Sequence, residues 1–201
     1  MENKKQIDFA PIAKPTLILT AICTVVTLLL ALTNLLTADK IAQNAAQKAA
    51  DSRRKVLAAQ DYQPLDADGA VYGAYNADGY LIGVVITTQA SGYGGKIDVM
   101  TGIRANGEVS GVNILSMEET PGLGARGKED SFLSQYKGFD KPGLAVSKDG
   151  GEINALSGAT ITSRAITKAV NEAIERSKSY LKPISETISD SDMKTATGGK
   201  E

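Results

Sequence analysis

The sequence IDVMTGIRANGEVSGVNILS, residues 97–116, consists of two runs with strand character on either side of Asn106-Gly107. An Asn-Gly pair readily supplies the positive φ values of a type I′ hairpin turn. Both runs alternate apolar with small or polar residues, as half-buried strands do. The stretch therefore predicts an antiparallel hairpin with strands over 97–105 and 108–116.

The rest of the fold is predicted by working outward from this hairpin. Upstream, Asn76-Ala77-Asp78-Gly79 separates strands expected over 70–75 and 80–88. Downstream, the patterns predict short strands over 144–147 and 153–156 and helices over 128–136 and 163–181. The last helix is amphipathic, with an apolar stripe formed by Ala165, Ile166, Ala169, Val170, Ala173 and Ile174. We expect one domain of the α+β class over residues 65–182, ended by Pro183 and followed by a disordered tail over 183–201.

The N-terminal part of the chain has the pattern of a membrane span. Residues 15–38 contain no charged side chain, and a helix of this length is about 36 Å long, enough to cross a hydrocarbon core. A cleaved signal peptide is the alternative, but the apolar run is longer than the core of such a signal. We expect an N-terminal segment over 1–14, a transmembrane helix over 15–38 and a helical stalk over 39–64. Lysines and arginines flank both ends of the span, so charge alone does not set its orientation.

One face of the predicted span carries small and polar side chains, namely Thr16, Thr20, Thr24, Thr27, Ala31 and Asn34. In lipid, such a face lets a second helix approach closely and form hydrogen bonds. Threonines in membrane helices also bond back to their own preceding turn. The sequence leaves both interpretations open.

Composition excludes several kinds of chemistry. The 201 residues include no His, no Trp and one Cys, so Ser-His-Asp triads, imidazole metal sites, Cys-ligated clusters and intrachain disulfides are ruled out. The net charge of −1 gives no general attraction to nucleic acid. We therefore expect no catalytic side chains, no metal ligands and no nucleic-acid partner, and any chemistry should come from a bound cofactor.

Two loops have the composition of a binding site. In Glu119-Thr120-Pro121-Gly122-Leu123-Gly124, proline and two glycines favour a tight loop with accessible backbone N–H groups, against which a planar ring could lie. The spacing alone is more typical of a plain turn. In Ser157-Gly158-Ala159-Thr160-Ile161-Thr162-Ser163, four hydroxyl residues lie where a helix begins. They could cap the helix, or the helix N-terminus could hold a phosphate.

These residues resemble a known family. Ser157-Gly158-Ala159-Thr160, followed by Ile161-Thr162-Ser163, is similar to the flavinylation motif of the FMN-binding domain found in the RnfG component of the Rnf electron-transport complex. The related NqrC component of the sodium-translocating NADH:quinone reductase has the same domain. Tyr93-Gly94-Gly95, residues 119–124 and the single N-terminal span also match the family.

The resemblance implies a covalent flavin. Thr160 would carry FMN through a phosphoester, installed by a flavin transferase that uses FAD. The other residues implied to bind the cofactor are Ser157, Gly158, Ala159 and Thr162 around the phosphate, and Glu119, Thr120 and Leu123 near the isoalloxazine ring. Two positions depart from the family pattern. Asn154 stands where an Asp is frequent, and Met117 stands where a His is frequent.

The same resemblance implies a function and a location. The chain would be a flavoprotein subunit of an ion-translocating complex in the cell inner membrane, relaying electrons between ferredoxin and NAD without oxidising NADH itself. Residues 1–14 would be cytoplasmic and the FMN domain extracytoplasmic, with other membrane and soluble subunits of the complex as partners. Two alternatives remain at this point: a component of the quinone reductase, and a membrane-tethered binding module without redox chemistry.

Overall fold

The structure, a computed structural model, describes residues 10–196 of the 201-residue chain and the side chains of residues 13–181. The chain divides into two compact units, one ending at Gln47 and the other beginning at Lys48. The first nine residues of the predicted N-terminal segment and the last five of the predicted tail lie outside the described range.

The first unit is helical. Helix α1 runs over Ala10–Val56, and it contains one stretch long and apolar enough to cross a membrane. Its large apolar side chains, from Leu17 to Leu36, are each about half exposed or more. Within the span, the hydroxyl groups of Thr20, Thr24, Thr33 and Thr37 donate to the carbonyl four residues earlier, at 2.8–2.9 Å. Thr20 and Thr24 belong to the predicted face of small and polar side chains, and their hydroxyls are satisfied inside the helix, as the second interpretation of that face expects.

The second unit begins earlier than the sequence suggested. We expected a helical stalk over 39–64, but α1 ends at Val56 and residues Asp61–Pro64 form strand β1. Val56 and Leu57 are buried against the sheet, and the hydroxyl of Tyr62 donates to the Leu57 carbonyl. Burial at the helix end and this hydrogen bond outweigh the helix propensity of the following residues.

The core of the unit is a five-stranded antiparallel sheet in sequence order. The strands are β1, then β2 (Val71–Tyr75), β3 (Leu81–Ser91), β4 (Lys96–Arg104) and β5 (Val109–Met117). Both predicted hairpins are confirmed, with Ile103 paired to Val109 beside the second turn. That turn is not type I′, because Gly107 has φ of +90° whereas Asn106 does not have a positive φ. Residues 105–107 instead form a three-residue loop closed by hydrogen bonds between Arg104 and Glu108 and between Gly107 and Arg104. With Gly107 at the bulge position, this is a common hairpin geometry.

A long helix, α3, covers one face of the sheet. It runs over Thr160–Ala196, and all six residues of its predicted apolar stripe are buried against β3 and β4 or the loops beside them. We expected the helix to start at Ser163 and to end before Pro183. It begins three residues earlier, and it continues past the proline because one missing backbone hydrogen bond kinks a helix without having to end it. The opposite face of the sheet packs on Val56 and Leu57.

The segment between β5 and α3 is less regular than predicted. In place of one helix over 128–136 there is a 3₁₀ turn over Gly124–Lys128, a short helix α2 over Asp130–Leu133 and a second 3₁₀ turn. The strands predicted over 144–147 and 153–156 reduce to a single parallel bridge between Val146 and Ile153. A 3₁₀ turn over Ser147–Asp149 follows Val146 directly, so the first segment ends beside the bridge. Ahead of the bridge, the side-chain oxygen of Asn171 on α3 accepts the N–H groups of Gly143 and Leu144.

Candidate functional site

One pocket collects nearly all the residues predicted to bind a cofactor. It has a volume of about 520 Å³, within the usual range for small-molecule sites. Three segments form its walls: the β3–β4 turn, the loop after β5 and the start of α3. The lining residues are Tyr93, Glu119, Thr120, Leu123, Gly124, Gly158, Ala159, Thr160, Ile161 and Thr162. Seven of the eight predicted residues lie on this wall. Ser157 does not, and the other three lining residues, Tyr93, Gly124 and Ile161, were not among those predicted to bind the cofactor.

The loop after β5 is held in shape by its own backbone. The carbonyl of Thr120 accepts the N–H groups of Leu123 and Ala125, both at 3.2 Å. Gly122 has φ of +77°, a conformation that side chains other than glycine's disfavour. The result is a tight loop that presents Leu123 to the pocket with 45% of its surface exposed.

The carboxylate of Glu119 joins this loop to the β3–β4 turn. Its Oε1 accepts the backbone N–H of Tyr93 at 2.8 Å and that of Gly94 at 3.3 Å. On the other side of the carboxylate, a Cβ placed on Gly124 would lie 2.5 Å from Oε2 and 2.7 Å from the Thr162 hydroxyl. Glu119 thus occupies the point where all three walls meet. Its carboxylate binds the backbone N–H groups of the β3–β4 turn, a role that the residue type alone did not indicate.

The start of α3 is a hydrogen-bonded turn followed directly by the helix. Ala159 N–H donates to the Leu156 carbonyl at 3.0 Å, and Gly158 has the positive φ of +74° that the turn requires. The first helical bond is Ser163 N–H to the Ala159 carbonyl, at 3.0 Å. The three N–H groups ahead of it have no partner within the helix, as at every helix start, and they favour an anion.

The four hydroxyl groups of this segment differ in availability. Thr160 is half-buried, lines the pocket and makes no hydrogen bond through its side chain within the described part of the chain. Ser157 is exposed and lies off the pocket. Thr162 is 1% exposed and Ser163 is fully buried, with its hydroxyl bonded to backbone. Of the four hydroxyl groups of this segment, the Thr160 hydroxyl is therefore the one that lines the pocket, is partly exposed and is free of a partner within the described residues.

The rim of the pocket is apolar. In the side chains described for the second unit, five large apolar residues are exposed, and three of them, Tyr93, Leu123 and Ile161, line this pocket. Leaving such side chains in water is unfavourable, so their clustering marks a binding surface. An apolar rim beside free N–H groups suits a ligand with a planar apolar ring and an anionic end.

Glu119 is the charged residue among those that line the pocket, and an ion pair lies beside it. Arg164, one turn after Thr160, makes a two-pronged ion pair with Asp149, with Nε to Oδ2 at 2.7 Å. The hydrogen bond from Arg164 lowers the pKa of Asp149. In the core below, burial raises the pKa of the Tyr136 hydroxyl, which is bonded to Thr167. Among the residues whose structure is described, no group of His, Cys, Asp and Glu is arranged to hold a metal ion.

Comparison with known proteins identifies the family. Residues 92–175 match the family described as "FMN-binding domain", and residues 1–56 match "RnfG N-terminal region". The G subunit of the proton-translocating ferredoxin:NAD(+) oxidoreductase complex of Clostridium ljungdahlii is 34% identical over 162 residues, covering 79% of this chain and 87% of that protein. The chain belongs to the RnfG family of ion-translocating oxidoreductase complexes.

Other members of the RnfG family match over similar lengths. The G subunit of the Na(+)-translocating complex of Acetobacterium woodii is 34% identical over 200 residues, covering 87% of this chain and 95% of that protein. The FMN-binding match over 92–175 includes all three walls of the pocket. The resemblance to RnfG that the sequence motifs indicated is thereby confirmed.

Similar solved structures come from the sodium-translocating NADH-quinone reductase. The C subunit from Parabacteroides distasonis is 27% identical, with a TM-score of 0.43 over 54% of this chain and 58% of that one. NqrC from Shewanella oneidensis is 22% identical, with a TM-score of 0.44 over 60% of this chain and 66% of that one. The matched part spans less than two thirds of either solved chain.

Proposed function

We propose that this chain is the FMN-carrying subunit of a membrane-bound, ion-translocating ferredoxin:NAD oxidoreductase complex. The pocket is the observation that carries the proposal, because its apolar rim and its free helix N–H groups suit the ring and the phosphate of FMN. The names of its relatives support membership of such a complex. When bound, FMN supplies the redox chemistry, and the chain fixes and partly shields the ring.

The FMN is covalently attached to Thr160 in this proposal. The Thr160 hydroxyl oxygen attacks the phosphorus of the FMN half of FAD, and the bond between that phosphorus and the bridging oxygen of the pyrophosphate breaks. AMP leaves, and the hydroxyl proton passes to a base of the flavin transferase. The free, pocket-lining hydroxyl of Thr160 supports this assignment, and so does its place at a helix start that stabilises the resulting anionic phosphodiester.

The other predicted residues then have defined roles. Gly158 and Ala159 form the turn that leaves room for the phosphate, and Thr162 lines the floor beside it. Thr120 and Leu123, which line the pocket from the loop after β5, would hold the ring. Ser157 is exposed beside the pocket, where a transferase could recognise it. Glu119 acts on the ring's position through the β3–β4 turn.

The chain relays electrons and does not oxidise NADH itself. The five described strands are antiparallel throughout, so this part of the chain contains no βαβ unit of the kind that binds a dinucleotide. Electron exchange needs only a held flavin near a second redox centre. The other membrane and soluble subunits of the complex supply the donor and the acceptor. The FMN domain lies on the extracytoplasmic side of the inner membrane, and residues 1–14 lie in the cytoplasm.

The attachment is tested by intact mass of the full chain, expressed with its transferase and purified in detergent. The wild-type chain and Thr162→Ala should each gain one FMN, whereas Thr160→Ala should gain none. Thr162 is the matched control, since it lines the same pocket two residues away. Covalent flavin on Thr160→Ala, or its loss from Thr162→Ala alone, would show that the acceptor is misassigned.

A further inference from the structure

The side chain of Ser163 joins the two ends of the turn that precedes α3. Its Oγ accepts the backbone N–H of Leu156 at 3.0 Å and donates to the carbonyl of Ala159, also at 3.0 Å. Ser163 is fully buried, so water does not compete for these bonds. The Ala159 carbonyl also accepts the Ser163 backbone N–H at 3.0 Å. One residue therefore fixes both the entry and the exit of the turn.

We infer that Ser163 is the positioning residue for Thr160, an inference that rests on the proposed attachment of FMN there. Thr160 follows Ala159 directly, so the orientation of the Ala159 carbonyl sets the direction in which the chain enters Thr160. Two bonds from Ser163 fix that carbonyl, while the third fixes the start of the turn at Leu156. The free hydroxyl of Thr160, which attacks the phosphorus of FAD in the proposed transfer, is thereby presented to the transferase in one geometry.

Ser163 is itself anchored in the core. The backbone carbonyl of Ser163 accepts a hydrogen bond from the Thr167 hydroxyl at 2.9 Å. The Thr167 hydroxyl oxygen in turn lies 2.9 Å from the hydroxyl of Tyr136. All three residues are buried. A continuous series of buried hydrogen bonds thus runs from Tyr136 to the acceptor turn. Buried networks in which every member is satisfied hold a single arrangement, so the turn does not depend on surface contacts for its shape.

Helix α3 offers a matched control in Ser177. It is also buried, at 2% exposure, and its hydroxyl donates to a carbonyl of the same helix, that of Ile174, at 2.7 Å. Within the described residues its side chain makes no second bond. Ser163→Ala and Ser177→Ala therefore each remove a buried hydroxyl and a bond to the helix's own backbone. Only Ser163→Ala also releases the turn and leaves the Leu156 N–H without its partner.

The test measures flavin transfer to the full-length chain in detergent, with FAD and the flavin transferase, by intact mass over time. Ser163→Ala should slow the initial rate on the order of tenfold or more, because small misplacements of a reacting group carry large costs in rate. Its final extent should still approach one FMN, since Thr160 is present. Ser177→Ala should react within about twofold of the wild-type chain, and thermal unfolding should show both variants folded at the assay temperature.

A positioning role and a merely structural one give different results. If Ser163→Ala only unfolded a fraction of the molecules, the final amount of FMN per chain would fall. The initial rate of flavin transfer to the molecules that remain folded would be unchanged. Equal initial rates for the two variants would overturn the inference. Should Ser163→Ala prove unstable, Ser163→Cys provides the same test, since a thiol is a weak donor and acceptor and the same slowing is expected. A wild-type chain that takes up no flavin would instead refute the proposed attachment.

Discussion

Replacing Glu119 by alanine should loosen the pocket and destabilise the second unit. The change removes the acceptor of two backbone N–H groups, those of Tyr93 and Gly94. A hydrogen bond to a charged group contributes about 1.5–3 kcal/mol, but Tyr93 and Gly94 are exposed and their freed N–H groups can bond to water. We expect a loss of about 1–3 kcal/mol in the free energy of unfolding. Glu119→Gln keeps an acceptor oxygen without the charge, and it should lose about 1 kcal/mol.

The chain contains a built-in probe for this measurement. All seven tyrosines lie between residues 62 and 180, and the chain has no tryptophan, so tyrosine fluorescence reports on the second unit alone. Urea unfolding of the flavin-free chain in detergent, followed by this signal, gives the change in midpoint for each variant. Glu118→Ala is the matched control, because Glu118 is the exposed neighbour and its side chain makes no hydrogen bond or ion pair in the described part of the chain.

The ranking of the variants decides whether the carboxylate holds the turn. Glu119→Ala should have the lowest midpoint, Glu119→Gln an intermediate one and Glu118→Ala the wild-type value. If Glu119→Ala unfolds at the same urea concentration as Glu118→Ala, the Glu119 carboxylate does not stabilise the β3–β4 turn. If Glu119→Gln is as unstable as Glu119→Ala, the stabilisation requires the negative charge of the acceptor, and a neutral acceptor oxygen does not hold the two N–H groups.

Three further predictions follow from the same structure. Tyr136→Phe removes a buried hydroxyl bonded to Thr167, which should cost about 1 kcal/mol in urea unfolding; an unchanged midpoint would contradict it. Because Arg164 lowers the pKa of Asp149, this carboxylate stabilises the folded chain above the unfolded pKa of about 3.9 and loses that contribution as pH falls through the lower folded pKa. Asp149→Asn should therefore lose less stability than the wild-type chain when unfolding is compared at pH 5 and pH 3. In a Cys23→Ala background, Lys141→Cys should react with an impermeant thiol reagent in intact cells and Glu2→Cys only after lysis; the reverse pattern would place the FMN domain in the cytoplasm.

Local sequence patterns predicted the regular part of the fold because short-range chemistry determines it. The β4–β5 hairpin follows from alternating residues around Asn106-Gly107, and the face that α3 buries follows from the spacing of Ile166, Val170 and their neighbours. The errors lie where tertiary contacts outweigh propensity. Helix α1 ends at Val56 because its last residues pack on the sheet, and no local signal marks that surface.

The composition of the site was predictable, whereas its internal support was not. Residues 119–124 and 157–163 were singled out by their glycines and hydroxyls, and the structure brings both loops to one pocket. The bonds that hold them join residues far apart in sequence, such as Glu119 to Tyr93. Only the three-dimensional fold places those partners together. The sequence alone therefore does not distinguish a glutamate that accepts backbone N–H groups from one that contacts a ligand.

Gly92 and Gly124 both leave space for the side chain of Glu119, so neither position needs glycine only to form a turn. A Cβ on Gly92 would overlap Oε1 of this carboxylate, and a Cβ on Gly124 would crowd Oε2. The two glycines lie on different segments, so the space for the carboxylate is made jointly by the β3–β4 turn and the loop after β5. Residues that share one packed group are energetically coupled. The cost of Gly124→Ala should thus depend on whether Glu119 is present, which makes these three positions one structural unit of the pocket.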